Sequence, residues 1–130
     1  MLSRFLLALT VVIILNSCAK KNNELEYENS KKKDPYEIYK EGLEAFNINN
    51  FFFASEKFSE AELNFSSPDD AAKAAIMSSY SLYVINLYDE AEENLNRYLK
   101  NYPGDNKVIY AYYLLAIIQF EQISNEEYDL

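Results

Sequence analysis

Cys18 is the chain's single thiol, and it follows the small residue Ser17 at the end of a long apolar run. A small residue at that place is what signal-peptide cleavage requires. The thiol has no internal partner for a disulfide, so the fold has to stand on packing. The other residue types offer little for catalysis. There is no histidine and no Gly-rich phosphate loop, and the two arginines, Arg4 and Arg97, are far apart. Serine catalysis would need a base that this inventory does not supply. The acids Asp69-Asp70 and Asp89-Glu90-Glu92-Glu93 are metal-ligand types, yet both groups fall at expected helix starts. Carboxylates there are stabilised by the helix dipole without any ion. We read no metal site and no enzyme. What remains for contact is twelve tyrosines and eight phenylalanines.

The elements that position Cys18 come next. Met1–Arg4 makes a short positive start, and Phe5–Leu15 gives eleven largely apolar residues. As a helix this run reaches about 16 Å, against roughly 30 Å of bilayer core, so it reads as a signal and not a span. Leu15-Asn16-Ser17-Cys18 resembles a bacterial lipoprotein signal. The resemblance implies cleavage before Cys18 and a covalent lipid, palmitate included, on its thiol and new amino group. No other cofactor is expected. Each buried CH₂ contributes about 0.8 kcal/mol, so several acyl chains hold a protein firmly on a membrane. By the same resemblance, Ala19 in place of an aspartate implies the periplasmic face of the outer membrane. Loss of residues 1–17 removes only Arg4 among the charges, leaving eleven basic and twenty-one acidic residues, a formal charge of −10. Nucleic-acid binding needs a basic surface and is excluded on that ground.

We divide the chain into a signal (1–17), a lipidated N-terminus with a flexible tether (18–33) and a helical repeat domain (34–130). The stretch Ala19–Lys33 is polar and lacks helical periodicity. As a coil it would span on the order of 20 Å, with Lys31-Lys32-Lys33 as a solvated charge run. Asp34-Pro35-Tyr36-Glu37 has a capping aspartate, a first-turn proline and a glutamate three residues on, which together signal a helix start. Ser67-Pro68-Asp69-Asp70 is a second start, and Pro103-Gly104-Asp105 reads as a third. Helices are expected over 34–48, 51–64, 68–86, 88–101 and 105–123, with a sixth beginning near Asn125.

A shift of 37 residues brings the helices into register in pairs. Gly42, Ser79 and Ala116 coincide, as do Phe46, Tyr83 and Phe120, Ala54 and Ala91, and Phe58 and Leu95. Small residues at fixed places let helices approach closely, and the aromatic fills the space one turn later. The pattern, with Pro103 after the second pair, resembles tetratricopeptide repeats, whose usual period is about 34 residues. The expected fold is therefore all-α: a tetratricopeptide-like helix-pair solenoid of about two and a half repeats.

The run Tyr98-Leu99-Lys100-Asn101-Tyr102-Pro103, then Tyr110-Ala111-Tyr112-Tyr113-Leu114 and Phe120-Glu121-Gln122-Ile123, narrows the resemblance. Together with the lipoprotein signal, the tether and Asp34-Pro35, it is similar to the N-terminal part of the BamD family of outer-membrane assembly lipoproteins. The resemblance implies a non-catalytic scaffold of the β-barrel assembly machinery (the BAM complex). Its partners would be a BamA-like barrel subunit, other assembly-machine lipoproteins and unfolded outer-membrane β-barrel proteins. Another repeat lipoprotein of the envelope, a pilotin or a cell-wall organising adaptor, shares the anchor and fold and stays open. So does a periplasmic enzyme accessory or hydrolase with a catalytic domain after Leu130.

In the tetratricopeptide pattern the first helix of each pair lines the concave face. Carried onto this chain, the inward positions are Tyr36, Tyr39, Leu43, Phe46, Ile76, Tyr80, Tyr83, Tyr110, Tyr113, Ile117 and Phe120. We read Phe46, Tyr83 and Phe120 as packing, and Tyr36, Tyr39, Leu43, Ile76, Tyr80, Tyr110, Tyr113 and Ile117 as a peptide-binding groove. Tyrosine suits that role, giving wide contact area at small entropic cost plus a hydroxyl for peptide backbone. Val108–Ile118 is apolar on every face and calls for cover on both sides. The expectation is that the repeat domain is a piece of a longer solenoid, or else that Ile109, Leu115 and Ile118 form a docking face.

Overall fold

The computed structural model describes residues 33–128, with side-chain surroundings through Ile123. The signal, Cys18 and the tether up to residue 32 lie outside the described residues. Five helices follow in order: α1 (Pro35–Asn47), α2 (Phe51–Asn64), α3 (Pro68–Val84), α4 (Tyr88–Asn101) and α5 (Val108–Tyr128). Each packs on its neighbours in sequence, with a lighter contact between α3 and α5. The described residues thus form the all-α, tetratricopeptide-like solenoid that the repeat predicts.

Local chemistry sets the helix starts. The Asp34 carboxylate accepts the Tyr36 N–H at 3.2 Å with Pro35 in the first turn. The Ser67 hydroxyl accepts the Asp70 N–H at 3.4 Å ahead of Pro68. The third start differs from expectation, since α5 begins at Val108 instead of residue 105. The Asp105 carboxylate is occupied by the Tyr98 hydroxyl and by the Lys107 N–H at 2.9 Å. It therefore folds a turn over residues 105–107 and leaves the helix to start after it. Burial pushes the Asp105 carboxyl up, but its Tyr98 and Lys107 hydrogen bonds outweigh this and hold it below the ordinary aspartate value.

Two helix ends share one device. Asn49 and Asn86, 37 residues apart, both lie at φ 61°. Asn50 N–H donates to the Ala45 carbonyl at 2.9 Å, and Leu87 N–H to the Leu82 carbonyl at 3.0 Å. These bonds satisfy carbonyls that a helix end would leave open. Asparagine tolerates this left-handed conformation and a β-branched residue does not. The register puts Ile123 at the third occurrence, and there the chain does not turn. The expected sixth helix near Asn125 is instead the continuation of α5, which runs unbroken to Tyr128.

The core lies between the two helices of each pair and between pairs. Phe58 and Ala54 on α2 pack against Ala45 on α1, and Leu95, Tyr98 and Ala91 on α4 join Ala72, Ala75 and Ile76 on α3 and Leu114 and Ile118 on α5. Gly42 is a point of close approach. A Cβ there would sit 2.8 Å from two carbons of the Phe58 ring. In the second pair Ser79 and Leu95 take these places and both are fully buried. The larger residue on the first helix of a pair goes with the smaller residue on the second. Gly42→Ala should lose about 2 kcal/mol to overpacking and regain about 1 kcal/mol of helix propensity. Phe58→Leu in the same chain should abolish the overpacking part, as a urea-denaturation double-mutant cycle would show.

Candidate functional site

Three helices of the same row, α1, α3 and α5, carry the aromatic residues that the sequence places in a groove. Across the gap between α1 and α3, Tyr36 donates its hydroxyl to Asp70 at 2.7 Å. The Lys73 ammonium stands 5.3 Å from the Tyr39 ring centre, and the Phe46 and Tyr80 rings are 6.0 Å apart. The stripe continues from Tyr80 to Tyr83 at 6.1 Å and from Tyr83 to Tyr88 at 6.1 Å. On α5 the ring of Tyr110 lies 6.5 Å from that of Tyr113. Aromatic pairs at such separations and tilts attract beyond the area they bury.

The stripe has a polar end and an aromatic end. Tyr36, Asp70, Lys73 and Tyr39 form the first, and Phe46, Phe51, Tyr80, Tyr83 and Tyr110 the second. The phenols of Tyr36, Tyr39 and Tyr110 stay protonated at neutral pH. Bonding to Asp70 raises Tyr36, while burial raises Tyr39 and Tyr110, helped by Asp70 in one case and by neighbouring tyrosines in the other. Such groups donate hydrogen bonds to carbonyls and stack on apolar side chains, and they do no acid–base work. Among the described residues no three carboxylates converge, so the acids at Asp69-Asp70 and Asp89–Glu93 stay dispersed.

Individual positions divide. Tyr36 and Tyr110 are exposed, and Tyr39, Leu43, Tyr80 and Ile117 are half-buried. Ile76 is a correction: it is 3% exposed and belongs to the core cluster of α3, α4 and α5. An α3 packed on α2, α4 and α5 has little free surface left, and Ile76 falls on a packed side. Phe46 and Tyr83 pack against the core as expected, whereas Phe120 is exposed because nothing described lies against that side of α5. Leu115 and Ile118 are buried in the cluster with α4, so of the expected docking trio only Ile109 is exposed.

The sequence reading missed Phe51 and Tyr88, the first residues of α2 and α4. They close the stripe behind Phe46 and Tyr83, with Phe51 edge-on to Phe46 at 5.1 Å. Their signal was available, since they too stand 37 residues apart. Lys73 and Asp70 were also missed, because a lysine and an aspartate in the first turns of a helix read as solvated charge.

A second polar arrangement lies in the row of α2 and α4. Glu62 is buried, and its carboxylate accepts Arg97 Nη1 at 3.0 Å and the Tyr102 hydroxyl at 3.1 Å. Arg97 Nη2 donates to Asn94 at 3.1 Å, and Asn94 donates to Ser78 at 3.4 Å. Ser78 donates in turn to the Ser55 carbonyl at 3.1 Å. Burial, then Glu62 itself, pushes the Tyr102 phenol up to about 12. This chain of bonds joins one repeat to the next.

Comparison with known proteins places these features in a family. The family model YfiO, described as an outer membrane lipoprotein, matches residues 31–129. The outer membrane protein assembly factor BamD of Rickettsia prowazekii (strain Madrid E) is 27% identical over 129 residues, covering 98% of this chain and 50% of its own length. BamD of Caulobacter vibrioides is 32% identical over 119 residues, covering 89% of this chain and 38% of its own. The chain thus spans half or less of the length of these curated relatives. No solved structure matches it significantly. A match that runs through all five helices, with two relatives aligned along nearly the same span, means that the chain belongs to the YfiO/BamD family of outer membrane lipoproteins.

Proposed function

We propose that this chain is a non-catalytic scaffold for assembly of outer-membrane β-barrel proteins, anchored to the periplasmic face of that membrane by acyl chains on Cys18. Its relatives carry the name of outer membrane protein assembly factor. Its partners in this reading are a BamA-like barrel subunit, other assembly lipoproteins and the unfolded barrel precursors. The single observation that carries the reading is the stripe of rings that passes from α1 to α3, with a further tyrosine pair, Tyr110 and Tyr113, on α5. An extended peptide laid across it would stack its aromatic side chains between rings, while the phenols of Tyr39, Tyr80 and Tyr110 donate to its carbonyls and the Tyr36 oxygen, its proton given to Asp70, accepts from a peptide N–H. Leu43, Tyr113 and Ile117 complete the lining in this reading. Holding a precursor there raises its concentration near the membrane without an energy source.

The test is a titration of the full chain with a labelled peptide copied from the aromatic-ended final strand of an outer-membrane barrel protein. Tyr80→Ala combined with Tyr110→Ala should weaken binding at least tenfold, about 1.4 kcal/mol, with the helical circular-dichroism signal kept. Equal affinity for the two proteins would remove the stripe from the binding reaction.

A further inference from the structure

The turn between α1 and α2 is apolar where its counterpart between α3 and α4 is charged. Around Asn49, Ile48 is 74% exposed, Phe52 55% and Phe53 41%. Their equivalents 37 residues on are Ile85, Asp89 and Glu90. Ile85 is half-buried, and the two acids are exposed in the first turn of α4. Both turns have an asparagine at φ 61° and the same bond back to the preceding helix. The fold therefore accepts carboxylates at the places of Phe52 and Phe53. Carboxylates there would also suit the helix dipole, yet the first turn of α2 has none. The phenylalanines give up that stabilisation and keep an apolar patch in contact with water, the mark of a surface that meets something else. The patch runs on into a hollow lined by Ala45, Ile48 and Phe53 together with Glu41, Glu44 and Asn50.

Charge and reach decide what covers it. The lysines beside it are paired with carboxylates, Lys57 with Glu41 and Glu60, and Lys40 with Glu44. Lysines paired in this way give the patch no net pull on lipid phosphate, so its contact has to come from apolar burial. Helix α1 has 13 residues, a length of about 20 Å. A coil of the length expected between Cys18 and Lys33 spans on the order of 20 Å too. The surface that holds the acyl chains is thus within reach of the far end of α1, where the turn lies.

We propose that Ile48, Phe52 and Phe53 insert into the phospholipid bilayer that holds the acyl chains of Cys18. They make a second, non-covalent foothold that sets the tilt of the repeat domain on the membrane. The inference rests on the anchored reading above, since the tether is what brings the bilayer within reach.

The chain has no tryptophan, so Phe52→Trp introduces a lone reporter and Asp89→Trp a matching one in the second pair. Each full chain, purified from membranes, is reconstituted into phosphatidylcholine vesicles with plain or brominated acyl chains, and flotation is scored separately. Bromine should quench the emission of Phe52→Trp at least twofold, at low and high salt alike, and leave that of Asp89→Trp unchanged. Adding Ile48→Glu and Phe53→Glu to Phe52→Trp should abolish the quenching while the protein still floats. Emission of Phe52→Trp that bromine does not quench overturns the proposal whether or not the protein floats, and flotation alone decides the anchor. Equal quenching of the two reporters, or quenching that survives the glutamates, overturns it as well. So does a blue-shifted Phe52→Trp emission without vesicles, the sign of a second copy over the patch.

Discussion

Arg97→Met should lower the folding stability of the repeat domain by about 3 kcal/mol. The reason lies with Glu62, which keeps only the Tyr102 hydroxyl when the guanidinium is gone. Its side chain is 3% exposed, while that of Arg97 is 37% exposed, so the cost falls on the carboxylate left without its counter-charge. A surface ion pair such as Lys40–Glu44 would cost well under 1 kcal/mol by comparison. Adding Glu62→Leu to Arg97→Met removes the stranded charge and should recover most of the loss, because an apolar pair of similar volume is often as stable as a buried ion pair. Urea midpoints of the two single variants and the double variant measure this. A stability for Arg97→Met within 0.5 kcal/mol of the parent, about the size of an ordinary surface substitution, would mean that the bond network contributes nothing.

The second large effect is expected at Phe58→Ala, which should cost about 4 kcal/mol. Phe58 is fully buried, and it fills the space that Gly42 leaves open while packing against Tyr39 at 5.1 Å between ring centres. Helices cannot close readily on the void, since Ala45 and Ala54 already bring α1 and α2 to close approach. Domains of this size have about 5–15 kcal/mol in all, so a thermal melt should show the first repeat loosened or the whole domain unfolded. The two losses should be coupled, because Glu62, the partner of Arg97, stands one turn after Phe58 on α2.

Much of this was legible in the sequence, and the reasons are particular. Asp34, Ser67 and the two helix-starting prolines mark their helices because capping is local chemistry. The 37-residue register of Gly42, Ser79 and Ala116 is visible because packing repeats. Whatever depends on a residue having two neighbours was harder to see. Ile76 matches Tyr39 and Tyr113 in register, yet only α3 is packed against α2, α4 and α5 together, so the same position is core in one repeat and surface in another. Asp105 looked like a cap because the sequence does not show that Tyr98, seven residues earlier, claims its carboxylate. The helix through Asn125 followed from Ile123 standing where Asn49 and Asn86 make their turns. That clue was readable, but only after the φ of 61° at both asparagines showed what the position does.

The way the helices pack, each against its chain neighbours, also bears on how the domain comes to be folded. Contacts close in sequence need little loop closure before they reward the chain, and such topologies fold in microseconds to milliseconds. Any helix pair can serve as the nucleus, and the rest can add outward. The bond from Tyr102 to Glu62 reaches further, because it spans 40 residues and two helices have to be seated before it can form. It therefore closes late and acts chiefly as a lock, slowing escape from the native state while leaving the speed of arrival almost untouched.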